Sequence, residues 1–160
     1  RYTYSGKRVT GIAGKKNFTV IFLEKSLMNA EIGFTYKVLE VLLKHGISFE
    51  HIPTGIDTMS FVIDGAELKN GVLDTLCEEI REAVRPDSLR VIQDIALIAV
   101  VGHGMARSVG TSARLFEAIA RAGVNVRMID QGSSELNIIV GVDNDSYERT
   151  LKAVYEEFFD

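Results

Sequence analysis

The feature that most constrains this chain is an internal repeat. Displaced by 77 residues against itself, the sequence places Ile21 on Ile98, Met28 on Met105, Gly33 on Gly110, Glu40 on Glu117, Gly46 on Gly123, Ile52 on Ile129 and Gly55 on Gly132, seven identities over the 46 positions from Phe18 to Ile63. Apolar character is kept more widely, pairing Val38 with Leu115, Leu39 with Phe116, Leu42 with Ile119, Ile47 with Val124, Phe49 with Val126, Phe61 with Ile138 and Ile63 with Val140. Self-similarity on this scale means two copies of one supersecondary unit. The repeated glycines fall where the chain must turn, at positions where a positive φ costs glycine least.

Each copy reads as a series of elements. Phe18–Leu23 is a short β-branched and aromatic run, hence a strand. Ile32–His45 carries Phe34, Val38, Leu39, Val41, Leu42 and Leu43 at helical spacing, and Lys44-His45-Gly46 closes it with a basic last turn and a glycine. Ile47–Ile52 and Thr58–Ile63 are strands on either side of a turn, Pro53-Thr54-Gly55-Ile56-Asp57. Gly71–Val84 places Val72, Leu73, Leu76, Ile80 and Val84 on one helical face, and Pro86 ends it. Leu89–Gln93 supplies a fourth strand. The order β-α-β-β-α-β is that of ferredoxin-like sandwiches. The second copy follows with a strand at Ile95–Val101, a helix at Thr111–Ala122 and strands at Val124–Ile129 and Glu135–Val142. A final helix at Ser146–Phe159 has Tyr147, Leu151, Val154, Tyr155 and Phe158 on one stripe.

The second copy lacks its fourth strand, which the 77-residue offset would place near position 165, beyond Asp160. A sheet short of a strand would bare its edge. The unassigned strand-like run is Arg8–Ala13, so Val9–Ala13 is expected to complete the second sheet. The first copy is then an insertion within a permuted second. The expected fold is α+β, two ferredoxin-like βαββαβ domains, one spanning 17–93 and the other 8–14 plus 94–160.

Composition narrows the function classes. Lys and Arg number 18 against 22 Asp and Glu, a net charge of −4 that offers nothing to a polyanion. RNA-binding aromatic signatures are missing as well, so no nucleic-acid partner is expected. No apolar run approaches the ~18–20 residues of a membrane span, and no signal peptide is visible. A cytoplasmic setting is therefore expected, with Cys77, the single cysteine, as a core-facing helix residue. No CxxC, HxxxH, HExxH or GxSxG spacing occurs. His45 reads as a cation at a helix C-terminus, and His51 and His103 as surface residues. Gly11-Ile12-Ala13-Gly14-Lys15-Lys16 lacks the Walker A spacing and reads as a basic surface turn between two strands. No catalytic residue and no metal ligand is assigned. The first residue is Arg1, not Met, so the chain is expected to be a piece of a longer polypeptide.

One segment carries recognition chemistry. Glu24–Phe34 joins the first strand to the first helix, and a helix N-terminus offers unpaired N–H groups to a carboxylate. The carboxylates Glu31, Glu50 and Asp57 lie near enough in sequence to hold an ammonium. Together these are the needs of a zwitterionic amino acid.

Several spaced motifs then resemble the tandem ACT-domain regulatory region of aspartate kinases, of the monofunctional lysine-sensitive type. They are Ser26-Leu27-Met28 with Gly33-Phe34, the run from Ile47 through Asp57, and the opening Val9-Thr10-Gly11-Ile12-Ala13. The second copy adds Ile98 through Gly102, Met105, and Gln131-Gly132-Ser133-Ser134-Glu135-Leu136-Asn137. The resemblance extends over roughly Arg8 to Phe159. It implies a parent enzyme that phosphorylates the side-chain carboxylate of aspartate, at the entry to lysine, threonine and methionine synthesis. The catalytic domain would lie N-terminal to this segment, and ATP and Mg would belong there, leaving no cofactor for this chain. The resemblance also implies an end-product effector bound at an ACT homodimer interface, and a second ACT domain interrupted by the first.

Carried over by position, the effector pocket would take Met28, Glu31, Gly33, Phe34 and Thr35 from the loop and helix start, and Ser48, Phe49, Glu50, Thr54 and Gly55 from the strand and turn. Ser133, Ser134 and Asn137 would form a secondary set, facing a ligand or the partner subunit. Phe34 and Phe49 serve core packing equally well, and a tight turn explains the two serines. Lysine-sensitive relatives tend to carry serine where Glu31 stands and aspartate where Glu50 stands. The expected role is allosteric feedback: an end-product amino acid, lysine first and threonine next, favours one domain arrangement over another. The alternatives are a stand-alone amino-acid-sensing ACT regulator and a ferredoxin-like nucleic-acid or metal module.

Overall fold

Two long strands organise the chain. The computed structural model describes residues 9–102, 109–132 and 137–159. Strand β1 is Gly11–Glu24 and β3 is Ser88–Val101. Each was expected as two strands, with 11–16 as a basic turn; each is instead one continuous strand. What stands between the halves is a single left-handed residue, Asn17 at φ 69° and Asp94 at φ 59°. The two positions are one repeat apart, and Asn and Asp are the non-glycine residues that enter this region most readily. Gly14 sits inside the strand because the Tyr147 ring comes within 2.7 Å of where its Cβ would be.

The chain divides into an inserted unit, Asn17–Asp94, and an outer unit formed by the described residues of Arg1–Lys16 and Ile95–Asp160. In the inserted unit, β2 (Thr58–Asp64) lies antiparallel to β1, from Phe18 opposite Asp64 to Glu24 opposite Thr58, and β3 flanks β1 on its other side. The expected strand at Ile47–Ile52 is an irregular edge. It touches β2 through isolated bridges, His51 to Val62 and Thr54 to Met59. Pro53 has no N–H to give to a ladder, which confines such a segment to an edge. Helices α1 (Phe34–Lys44) and α2 (Val72–Val84) bury Phe34, Val38 and Leu42, and Leu76, Cys77, Ile80 and Val84, in one core with Ile21, Leu23, Phe61 and Ile63. Burial pushes the Cys77 thiol pKa up, as expected of an inert core cysteine. The first helix starts two residues later than its apolar spacing predicts. Gly33, at φ 81°, caps it, and Ile32 is 97% exposed before it.

The outer unit repeats the plan with its strand order permuted. Strand β5 (Asn137–Asp143) pairs with β3 from Ile95 opposite Asp143 to Val101 opposite Asn137. Strand β4 is only Met128–Asp130, shorter than the expected Val124–Ile129. The fourth place is filled from the N-terminus: Thr10 N–H donates to Val101 O at 2.7 Å, and Val9 is buried in this core with Ala96, Ile98, Val100, Val140 and Val142. This is the α+β arrangement of two ferredoxin-like units, the first inserted into a permuted second. Helices α3 (Thr111–Arg121) and α4 (Tyr147–Phe159) cover the sheet. Tyr155 is not on the buried stripe; it is 55% exposed and stacks on Phe159 at 5.2 Å between centroids.

The strand registers refine the repeat. Phe61 faces Ile21 while Val140 faces Ile98, and Ile63 faces Thr19 while Val142 faces Ala96. Phe61 therefore corresponds to Val140 and Ile63 to Val142, two residues beyond the partners given by a constant offset. A slip of two leaves every side chain on its own face of the sheet, so the apolar match persisted at the wrong residues.

Candidate functional site

The loop after β1 builds the site. Leu27, left-handed at φ 60°, turns the chain into a short 3-10 helix, Met28–Ala30, with Met28 buried beneath it. Met28 N–H donates to Lys25 O at 3.1 Å and Glu31 N–H to Met28 O at 3.1 Å, which closes the loop onto itself. Gly33 then admits the chain to α1, and no side chain caps that helix. By helix geometry the Thr35 and Tyr36 N–H groups have no intrahelical acceptor and carry the positive end of the helix dipole.

These groups border a cleft of about 290 Å³, lined by Met28, Asn29, Glu31, Gly33, Phe34, Thr35, Tyr36, Thr54 and Met59. Met28, Phe34 and Met59 give it an apolar floor, since all three belong to the buried core. The Thr35 hydroxyl points to Met59 Sδ at 3.8 Å, and the Thr54 hydroxyl donates to Ile52 O at 3.1 Å.

Among the residues carried over from the resemblance, the cleft brings together Met28, Glu31, Gly33, Phe34, Thr35 and Thr54. Phe34 belongs to the core and also lines the cleft. Ser48, Phe49, Glu50 and Gly55 are exposed and lie off the cleft wall, and so does Asp57. Phe49 instead meets Phe61 edge-on at 6.5 Å, and a Cβ on Gly55 would meet the Thr58 side chain. Asn29, Tyr36 and Met59 join the wall without having been singled out. Met59 sits opposite Leu23 in the β1–β2 ladder, so its place depends on a strand register that no local spacing reveals. In the outer unit Asn137 begins β5 opposite Val101. Ser133 and Ser134, with Arg8, His103 and Met105, lie outside the described residues.

The electrostatics of the loop centre on Glu31. Its Oε2 is ion-paired with Lys25 Nζ, and its Oε1 is 3.6 Å from Lys37 Nζ. The Lys25 hydrogen bond, helped by both lysine charges, holds the Glu31 pKa below its usual value. Lys25 Nζ also donates to Val84 O, at the C-terminal end of α2, and lies 5.8 Å above the Phe34 ring centroid. The carboxylates that close the helix pairs behave alike. Glu79 takes His45 Nε2 at 2.7 Å and Lys44 Nζ at 3.1 Å, and Glu157 takes Arg114 Nε at 2.9 Å and Arg121 at 3.1 Å. Both have lowered pKa values, through the His45 hydrogen bond first at Glu79 and the Arg114 hydrogen bond first at Glu157. His45 sits at the end of α1 as its basic spacing suggested. Among the described residues no three His, Cys, Asp or Glu side chains are grouped to hold a metal, and no helix is long and apolar enough to cross a membrane.

The two sandwich units, with a loop-and-helix cleft in the inserted one, are similar to regulatory regions of known proteins. The ACT domain family matches residues 98–158. Aspartokinase 3 of Bacillus subtilis is 39% identical over 151 residues, which cover 94% of this chain and 33% of that protein. Aspartate kinase of Clostridium acetobutylicum, an allosteric enzyme, superposes with a TM-score of 0.92 at 46% identity over 98% of this chain and 36% of that one. The regulatory subunit of aspartate kinase from Thermus flavus superposes with a TM-score of 0.80 at 26% identity, over 95% of this chain and 99% of that one. Residues 98–158 thus match an ACT domain. The chain as a whole is similar to the regulatory region of aspartokinases, and it spans about a third of the length of the Bacillus relative.

Proposed function

We propose that this chain is the amino-acid sensor of an aspartate kinase, with ACT domains at 17–93 and at 8–14 plus 94–160. An end-product amino acid, lysine first and threonine next, occupies the cleft of the inserted unit. The observation that carries this reading is the start of α1, which has no side-chain cap, opening onto an apolar-floored cleft of about 290 Å³. The effector carboxylate lies on the Thr35 and Tyr36 N–H groups, and Met28, Phe34 and Met59 take the side-chain methylenes. Ser48, Phe49, Glu50 and Gly55 then act from the neighbouring rim, in contact with a second copy in an ACT homodimer. Ser133, Ser134 and Asn137 form the secondary set of the outer unit.

The parent polypeptide phosphorylates aspartate with ATP and Mg bound in its kinase domain, and effector binding restrains it. Binding must discriminate between two arrangements, because equal affinity for both shifts nothing. A coupling of about 1–3 kcal/mol is typical of such linkage. A second reading, a separate regulatory chain without an attached catalytic domain, draws support from the Thermus flavus subunit, 99% of which this chain covers.

Titration calorimetry with lysine, threonine, methionine and aspartate tests the sensor. Lysine or threonine is expected to bind saturably, and Thr54→Phe, which fills the cleft from an exposed position, is expected to abolish the signal. Failure of all four amino acids to bind, or binding untouched by Thr54→Phe, removes the cleft as the sensor site.

A further inference from the structure

The cleft contains a carboxylate of the kind that would hold a lysine side-chain ammonium, yet that carboxylate already holds one. Glu31 lines the cleft wall, and both of its oxygens face lysines of this same chain, Oε2 with Lys25 and Oε1 with Lys37. The Lys25 contact is the tighter and the better shielded. The two side chains are 23% and 26% exposed, against 46% for Lys37. Lys25 Nζ has a second acceptor in Val84 O and an aromatic face in Phe34. A carbonyl at a helix C-terminus, a carboxylate and a ring face together form a binding site for a primary ammonium.

We infer that Lys25 is an internal competitor for the effector's side-chain ammonium, and so a specificity-determining residue of the cleft. The inference rests on the cleft reading above. Its ammonium neutralises Glu31, which among the described residues is the acidic side chain of the cleft wall, so the resting cleft has little negative charge to offer a cationic side chain. A cationic effector must share Glu31 with Lys25 or displace it, whereas an uncharged side chain of the same length meets no such competition. Displacement would also loosen the tie between the sensor loop and the end of α2, since Val84 O is held by the same ammonium. Lys37 completes the balance from the exposed side and contributes less, being farther away and more solvated.

The test compares lysine with norleucine, which shares its backbone groups and has an uncharged aliphatic side chain, on the full chain by calorimetry. Lys25→Met keeps the aliphatic stem on Phe34 and frees Glu31. It is expected to raise the lysine-to-norleucine affinity ratio about fivefold or more, as the release of one partly shielded charge pair allows. Glu31→Gln leaves the Lys25 charge beside the cleft without its carboxylate and is expected to move the ratio the other way. Adding Glu31→Gln to Lys25→Met should cancel the gain. Thermal melts of each variant establish that it is folded. If Lys25 served only to tie the loop to α2, both ligands would weaken together and the ratio would stay constant, which overturns the inference while leaving the sensor site intact. Binding of neither ligand to any folded variant overturns the cleft reading and the inference with it.

Discussion

At the scale of the residue, two glycines separate conformational from steric constraint. Gly33 sits at φ 81° with open space where a Cβ would go, so Gly33→Ala pays only for backbone conformation, about 1 kcal/mol. Gly65 has no such φ, but a Cβ there would lie 2.5 Å from the backbone oxygen of Asn17. Gly65→Ala must therefore move main chain, and is expected to cost about 1–3 kcal/mol. Urea midpoints on the two variants should rank Gly65→Ala as the more damaging; the reverse order would refute the steric argument. Glu79 and Glu157 are among the carboxylates that contribute to the acid limb of stability. Their folded pKa values lie below the ordinary value of 4.5. The stabilisation they give is thus present above that value and is lost as pH falls through the lower folded one. Glu79→Gln combined with Glu157→Gln should flatten the fall of the melting temperature below about pH 4.5, where a parent-like slope would show that the pairs add nothing.

At the scale of the element, each helix depends on one apolar stripe and each long strand on one left-handed residue. Ile80 in α2 and Ile119 in α3 are buried in the cores of their respective units. Truncating either to alanine is expected to cost about 2–5 kcal/mol, read by chemical denaturation, and a loss under 1 kcal/mol would mean that the site collapses around the cavity. Asp94 holds φ 59° within β3. Asp94→Gly should be neutral or mildly stabilising, and Asp94→Val should cost about 1–2 kcal/mol because a β-branched residue resists that region; equal stability of the two variants would contradict the strain. Helix periodicity made α1 through α4 legible from Phe34, Leu76, Leu115 and Val154. The strand 47–52 was misread because its apolar alternation is real while its hydrogen bonding is confined to a few contacts such as Glu50 N–H to Val62 O at 2.8 Å. Alternation in this segment marks neither a continuous ladder nor an evenly buried face, since Ile47 is buried and Phe49 is exposed.

At the scale of the whole molecule, the insertion is the defining feature. Among the described residues, the core built on Ile21, Leu76 and Phe61 is formed from within 17–94, and the core built on Val9, Ile98 and Val140 from outside it. Strands β1 and β3 are antiparallel neighbours: Glu24 O accepts from Asp87 N–H at 2.8 Å, and Thr10 N–H donates to Val101 O at 2.7 Å. Replacing residues 17–94 by an Asn-Gly turn between Lys16 and Ile95 would convert the outer halves of these strands into a hairpin. The shortened chain is expected to keep a cooperative thermal transition and a native-like circular dichroism spectrum. A non-cooperative melt would show that the outer unit depends on the inserted one.

Sequence alone determined the repeat, the class of fold, the helix faces apart from Tyr155, and the need for an N-terminal strand in the second unit. These follow from periodicity and chain connectivity, which are local or countable properties. It also pointed to Glu24–Phe34 as a loop leading into a helix start, and the family resemblance placed Met28, Glu31, Gly33, Phe34 and Thr35 at a pocket there. Tertiary structure decided the rest of the cleft. Met59 reaches it through strand register, while Ser48, Phe49, Glu50 and Gly55 fall outside it where the edge departs from a regular strand. Only folding brings Lys25 and Val84 together, 59 residues apart in the chain. A hydrogen bond over that separation is set by where strands end and helices stop, and no spacing within the sequence encodes it.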